Sequence, residues 1–279
     1  IGSLGGAVGS LFAYSVQYAS SFRTGFAWSL FLMPLAGLAI VGLYRVARQQ
    51  ENRGTNMVLD AVAAGRPMAP VTGPLVFVAT VLTHGVGGSS GREGAALQIG
   101  GSLGTVFAKL FHLREQDRTV AVMCGMSGVF AALFGTPATA AIFSLEVVSV
   151  GVMSYAGLLP CVVSAFFGES VASLLGLSAE KYSIVGQTAF QIPSVGVILA
   201  LGILCALLSV GFCKLLHETE HLLRRLFPNA FVRILAASFV YIGLTLLFQT
   251  KDYCGTSSNL IVRALAGETR YEAFFLKAL

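Results

Sequence analysis

Long uncharged, apolar stretches follow one another along this chain, and ionisable residues act as punctuation between them. The stretches cover residues 1–22, 24–44, 67–91, 94–108, 119–145, 147–168, 182–213 and 234–250. About 20 apolar residues cross a bilayer as a helix, and these runs fall both well below and well above that length. Such unevenness predicts tilted and broken helices rather than a row of simple perpendicular spans. Glycine and proline interrupt the runs at Gly85-Val86-Gly87-Gly88, Gly100-Gly101, Gly135-Thr136-Pro137 and Pro160. Non-helical backbone at membrane depth is tolerated only where it is buried in protein or lines a watery cavity, so several of these breaks are expected to face a pathway. Gly2, Gly5, Gly6 and Gly9 read differently, as small residues that let helices approach closely.

Composition sharpens this picture. Of 279 residues, 55% are hydrophobic and 11% charged, against about 25% charged in soluble domains, and the mean hydropathy is +0.78. An all-α polytopic membrane protein is the class that fits; soluble enzymes, secreted scaffolds and disordered tails are excluded. The net charge of +5 reads as orientation by basic loops, with Arg45, Arg48 and Arg53 on the cytoplasmic side and a second basic group at 214–233. It does not imply nucleic-acid binding. Lys214, His217, Glu218, Glu220, His221, Arg224 and Arg225 have helical charge spacing and read as a solvated helix end. Cys124, Cys161 and Cys205 stand in apolar runs, where a thiol behaves as a small core residue. With Cys213 and Cys254 they form no CxxC pair, so neither a disulfide framework nor a metal site is expected. No cofactor motif and no Walker-type ATP site is present, so an ion gradient must supply any energy. The chain opens on Ile1 without a basic n-region, which argues against a cleavable signal and for a start inside a longer protein.

A weak internal repeat relates 54–65 to 255–267, Gly-Thr-Asn against Gly-Thr-Ser-Ser-Asn, with Asn56 aligned on Asn259 at an offset of 203 (259 − 56). Transporters are often built from two related halves with the ion site between them.

The sharpest chemical feature is Gly87-Gly88-Ser89-Ser90-Gly91-Arg92-Glu93-Gly94-Ala95. Here a glycine-rich loop enters a helix, and an Arg-Glu pair stands between two long apolar runs. Intramembrane ionisable residues are functional candidates by default. A helix start offers unpaired N–H groups and the positive end of a dipole, which attract an anion or the Glu93 carboxylate. Competition of the two for one amide pocket makes a gate: ionised Glu93 occupies the anion's place, and protonated Glu93 leaves it. The plainer alternatives are that Glu93 pairs with Arg92 or caps its own helix, although adjacent helical residues do not face each other. Gly88-Ser89-Ser90-Gly91 also matches the GxSG pattern of intramembrane serine proteases, which require a histidine within reach of the serine. His84 is the nearest histidine in sequence, and it otherwise reads as a hydrogen-bonded packing residue.

Gly91-Arg92-Glu93-Gly94 followed by Gln98-Ile99-Gly100-Gly101 resembles the GREGPxxQxG signature of the CLC anion channels and transporters. Gly125-Met126-Ser127-Gly128, Phe134-Gly135-Thr136-Pro137 and Phe143-Ser144-Leu145-Glu146 are similar to the stretch that follows it in that family. The resemblance implies a multi-pass cell-membrane homodimer of broken helices arranged as inverted repeats. Residues 1–155 would be the first half-repeat, carrying the first filter segments, and 156–279 an incomplete second. It makes Glu93 the gating and proton-accepting glutamate, and it places Gly54, Thr55, Asn56, Met57, Gly91, Arg92, Gly94 and Ala95 around a fluoride or chloride ion.

Departures from the family pattern bear on the branch. Where chloride-type members have GSGIP, this chain has Gly54-Thr55-Asn56-Met57-Val58, with Thr55 at the place of the serine. Hydroxyl and amide donors still suit an anion. With Pro70 to His84 and Gly157-Leu158-Leu159-Pro160-Cys161, this motif is similar to the fluoride-exporting branch. Val147 replaces the internal glutamate of proton-coupled chloride exchangers, which leaves fluoride/proton antiport first and a passive, voltage-gated-type chloride channel as the alternative. Glu146 is expected to support helix packing near the subunit interface. The second-half counterpart of Glu93 would fall at 296 (93 + 203), so a chain shortened at its C-terminal end is expected, with 271–279 opening an interrupted helix.

Overall fold

The structure is a computed structural model that describes residues 1–26, 28–49, 54–63, 68–147, 155–178, 192–248, 254–256 and 258–268. Arg53, Gly65, Ser257 and 271–279, which carry parts of the basic-loop, repeat and chain-end readings, lie outside them. Among the described residues the regular structure is helical: α1 (Gly2–Gly25), α2 (Met33–Val46), α3 (Thr55–Ala63), α4 (Thr72–Val86), α5 (Glu93–Leu110), α6 (Glu115–Phe134), α7 (Pro137–Glu146), α8 (Leu158–Leu174), α9 (Ile192–Leu226), α10 (Ala230–Leu247) and α11 (Ser258–Leu265), with two short 3-10 turns at Ser29–Leu32 and Tyr155–Gly157. By compactness the chain divides into Ile1–Lys181 and Tyr182–Leu279.

In the first unit α6 is central. It packs against α1, α5, α7 and α8 and buries most of its length from Ala121 to Leu133. Small residues make this possible, as expected for packing without a strong hydrophobic drive between helices. A Cβ on Gly100 would strike the Gly125 carbonyl oxygen and lie 2.7 Å from Met126 Cα. Gly100-Gly101 is therefore not a break facing a pathway. It lies inside the continuous helix α5, where the missing side chain lets two backbones touch. Gly2, Gly5, Gly6 and Gly9 behave as read, abutting Ser164, Gly128, Gly168 and Ala132.

The other interruptions are of two kinds. The 119–145 run splits into α6 and α7 at Gly135, whose φ of +62° closes α6, and Pro137 stands at the start of α7, where its missing N–H costs nothing. Pro160 breaks no helix, because it sits in the first turn of α8. Hydroxyls within helices satisfy themselves by donating to the carbonyl one turn back, as Ser10 does to Gly6, Thr105 to Gly101 and Ser144 to Ala140. That is the inexpensive solution where no water is available.

A reciprocal clamp joins α6 to α8. Ser127 Oγ donates to the Cys161 carbonyl at 2.9 Å, Ser164 Oγ donates to the Cys124 carbonyl at 2.6 Å, and the two buried thiols lie 4.0 Å apart between them. Cys124-x-x-Ser127 and Cys161-x-x-Ser164 thus read each other across the interface, a pairing that cysteine spacing alone did not suggest. Each carbonyl already accepts the N–H one turn on in its own helix, so removing a hydroxyl takes away a second, interhelical bond without leaving the carbonyl unpaired. Ser164→Ala is expected to cost about 0.5–1.5 kcal/mol and Ser127→Ala a similar amount. Denaturation in detergent should show the double variant losing less than the sum if the two bonds act as one unit.

The second unit holds α9, α10 and α11. Within Val195–Leu226 an 18-residue window has a mean hydropathy of 2.6 with none of it buried, so the first part of α9 exposes an apolar surface of the kind that lipid covers. Its ionisable residues cluster from Lys214 onward, where Arg224 Nη2 meets Glu220 Oε1 at 2.7 Å on an exposed face. The solvated helix end is therefore the last third of α9. Cys205 is exposed on the same helix and not a core thiol, because α9 offers no buried side for it. Asn229 caps α10 by accepting from the Phe231 N–H at 3.0 Å. Among the described residues five helical segments, Ser29–Val46, Glu115–Phe134, Tyr155–Leu174, Val195–Leu226 and Ala230–Leu247, are long and apolar enough to cross a membrane.

Candidate functional site

Two helix starts converge in the first unit. Helix α3 begins at Thr55, directly after Gly54 with φ +62°, and α5 begins at Glu93. They meet at Thr55 and Gly94, where a Cβ on Gly94 would lie 2.7 Å from Thr55 Oγ1. Gly94 therefore gives the Thr55 hydroxyl room to stand against the first turn of α5. Each helix start carries unpaired N–H groups and the positive end of a peptide dipole, so a hydroxyl and two dipole ends are gathered at one place.

The approach to α5 is a loop that α4 launches. Gly87 closes α4 with φ +91°, a conformation that side-chain-bearing residues adopt only under strain. The Gly87 and Gly88 N–H groups donate to the His84 and Thr83 carbonyls at 3.2 and 2.8 Å. In the middle of α5, Ser102 Oγ donates to the Pro70 carbonyl at 2.8 Å and accepts from the Gly73 N–H at 3.1 Å, pinning the start of α4 to α5.

Glu93 is exposed in this single chain and does not sit inside an amide pocket. Its carboxylate folds back over Gly91, where a Cβ would collide with Glu93 Oε2. The physical reason is position: a side chain at the first helical residue leans toward the N-terminus, away from the turn that follows it. The N-cap residue, Arg92, makes no side-chain capping bond at this helix start. Gly91 supplies the space for the folded-back carboxylate, a role that the bare motif did not state.

The remaining candidates fall on different sides of the backbone. Asn56 is exposed and Arg92 half-buried. Met57 packs against the core cluster that contains Val58, Val62 and Leu97, and the Ala95 side chain is buried with Ala96, Ile99 and Phe12. Met57 and Ala95 thus have only backbone groups to offer an ion. Glu146, at the last position of α7, is exposed in this single chain, and Val147 rests against the same core as Met57. The protease arrangement is not formed. Ser90 Oγ donates to the Gly91 carbonyl at 3.3 Å, His84 Nδ1 faces the Thr80 carbonyl at 2.8 Å, and Nε2 has no hydrogen-bond partner.

The related segment of the second unit has the same local form, a positive-φ glycine (Gly255, +71°) ahead of the short helix α11, as Gly54 stands ahead of α3.

Helix starts gathered around a hydroxyl, with a carboxylate close by, are an arrangement that can receive an anion. Residues 36–279 match the family described as voltage gated chloride channel. The chain belongs to this CLC family. It is 33% identical over 268 residues to a chloride/fluoride channel protein of Pseudomonas syringae pv. tomato, covering 94% of this chain and 59% of that relative. It is 29% identical over 161 residues to an H+/Cl− exchange transporter ClcA of Klebsiella pneumoniae, covering 52% and 34%. The fold superposes on the crystal structure of a CLC-type fluoride/proton antiporter with a TM-score of 0.92 at 29% identity, over 99% of this chain and 71% of the other. A slow cyanobacterial Cl−/H+ antiporter, at 17% identity and a TM-score of 0.77, shares the fold.

Proposed function

We propose that this chain serves fluoride/proton antiport across the cell membrane, as one subunit of a homodimer with no enzymatic activity. The single observation that carries the reading is the meeting of Thr55 with Gly94 beside Glu93, which sets a hydroxyl donor, two helix starts and a titratable carboxylate at one point. The anion takes N–H donors from Gly54 to Met57 and from Gly91 to Ala95, together with the Thr55 hydroxyl or the Asn56 amide. Glu93 exchanges between the folded-back position over Gly91 and the anion's place, and a proton decides which. Half-repeats at 1–155 and 156–279 agree with the paired turns at Gly54 and Gly255. Fluoride is favoured over chloride because Thr55-Asn56 departs from the chloride-type motif and the chain is similar to a chloride/fluoride protein and a fluoride/proton antiporter.

Val147 supports a second reading, passive chloride conduction, since it replaces an internal proton carrier with an apolar side chain. Liposomes loaded with fluoride or with chloride separate the two. Fluoride efflux that drives proton uptake, and that an imposed proton gradient accelerates, is expected. Chloride efflux faster than fluoride and indifferent to the proton gradient would overturn antiport in favour of the channel.

A further inference from the structure

Two thiols meet between α6 and α8, outside the residues assigned to the anion. Cys124 and Cys161 stand 37 residues apart in sequence, and their sulfurs lie 4.0 Å from each other. Cys161 is 0% exposed and Cys124 6%, and both are free. Their backbones are held in place from across the seam. The carbonyl of each cysteine accepts a serine hydroxyl from the opposite helix, Ser127 for Cys161 and Ser164 for Cys124. On the same seam a Cβ on Gly168 would lie 2.9 Å from Gly128 Cα, so the two helices already touch and have no room to approach further.

The separation of the sulfurs shows what they are set to do. A disulfide needs them at about 2.05 Å, which would close the present gap by half. A metal ion bound at about 2.3 Å to each sulfur, the thiolate bond length at zinc, spans the 4.0 Å gap with an angle of about 120°, and a widening of about 0.6 Å brings the three atoms into line. Ligand number and burial then select the ion. Among the described residues no third His, Cys, Asp or Glu gathers with the pair, which disfavours the four-ligand sites of zinc and the oxygen cages of calcium and magnesium. Thiolates prefer soft ions. Both cysteines belong to the apolar cluster that holds Met126, Leu145 and Ala165, where an unbalanced charge is expensive. A divalent ion, whose two charges two thiolates cancel, is therefore favoured over a monovalent one. Cys124, the less enclosed of the two, borders a surface cavity together with Phe107, Leu159, Val163 and Phe167, which gives an ion a way in.

We propose that Cys124 and Cys161 form a two-coordinate site for a soft divalent metal ion, of which mercuric ion is the type: the ion takes one bond from each sulfur, the two thiol protons pass to water, and the neutral bis-thiolate staples α6 to α8. The site does not depend on the transport reading.

The test uses the whole chain in detergent, with Cys205→Ala, Cys213→Ala and Cys254→Ala so that the pair holds the remaining thiols. Mercuric chloride is the probe, and 2-mercaptoethanol competes as a monothiol for mercury bound through one sulfur. After desalting, elemental analysis should find one mercury per chain, and X-ray absorption should find two sulfur neighbours at about 2.3 Å. Cys124→Ala and Cys161→Ala, each added singly and checked for folding by size exclusion, should lower the affinity at least about 100-fold, because one arm of a chelate is lost. A chain whose thiols are Cys205 and Cys213 is the control. These stand eight positions (213 − 205) apart on α9, about 12 Å along the helix, and should release their mercury to the competitor. No mercury retained by the pair, retention unchanged in either single variant, or equal retention by the α9 control overturns the proposal. A Cys124–Cys161 disulfide in protein purified without reductant overturns it too, since the sulfurs would then close on each other instead of on an ion.

Discussion

Replacing Glu93 with glutamine is expected to abolish proton coupling while the protein stays folded. Glutamine keeps the size and shape of the side chain but cannot bind a proton near neutral pH, and it carries no charge with which to imitate the anion. The exposed position of Glu93 makes a stability change beyond about 0.5 kcal/mol unexpected, so the effect is read cleanly in function. Fluoride-loaded liposomes carrying Glu93→Gln should show no proton uptake accompanying fluoride efflux, and efflux should no longer respond to an imposed proton gradient. Uptake persisting at the wild-type ratio would show that another group accepts the proton, and the gate assignment would fail. Reduced fluoride flux alone does not separate a gate from a bystander, so the ratio of protons to fluoride is the quantity to measure.

The second large effect is structural. Gly100→Val is expected to prevent accumulation of folded protein, because the new Cβ would strike the Gly125 carbonyl oxygen and crowd Met126 Cα at 2.7 Å. These are backbone atoms in the middle of α6, and α6 is held on its other sides by α1, α7 and α8, so no flexible side chain can give way. The loss should exceed about 4 kcal/mol, the range reached by severe overpacking. Gly202→Ala is the matched control. On α9 its Cβ meets nothing within 4 Å, and alanine is the better helix former by about 1 kcal/mol. Size-exclusion profiles and thermal unfolding in detergent should separate the two sharply; equal behaviour would mean that the α5–α6 seam is not as close as described.

Much of this arrangement is legible in residue order, and the exceptions have identifiable causes. The apolar runs predicted helices because hydrophobic length is a local property, and Gly135-Thr136-Pro137 predicted a break because a left-handed turn followed by proline cannot continue a helix. Gly100-Gly101 misled for the opposite reason. Two glycines in series look like a hinge until the partner is known, and Gly125 on α6 turns them into a contact surface. Cys205 misled in the same way: an apolar neighbourhood in sequence does not tell lipid from core. His84 showed as a polar residue in an apolar run beside a glycine-rich loop, a signal that is present but cannot distinguish a satisfied packing histidine from one with an open nitrogen.

Taken alone, residue order determined the membrane class, the helical segments, and the loop-to-helix step at Gly91-Arg92-Glu93-Gly94, because these rest on hydropathy, chain length and the special backbone freedom of glycine. Tertiary structure decided that Thr55 stands against Gly94, that Met57 and Ala95 turn their side chains into the core, and that Ser127 and Ser164 clamp α6 to α8. Those outcomes depend on which faces of distant helices meet, and a hydroxyl chooses its acceptor only once packing has brought one within 3 Å.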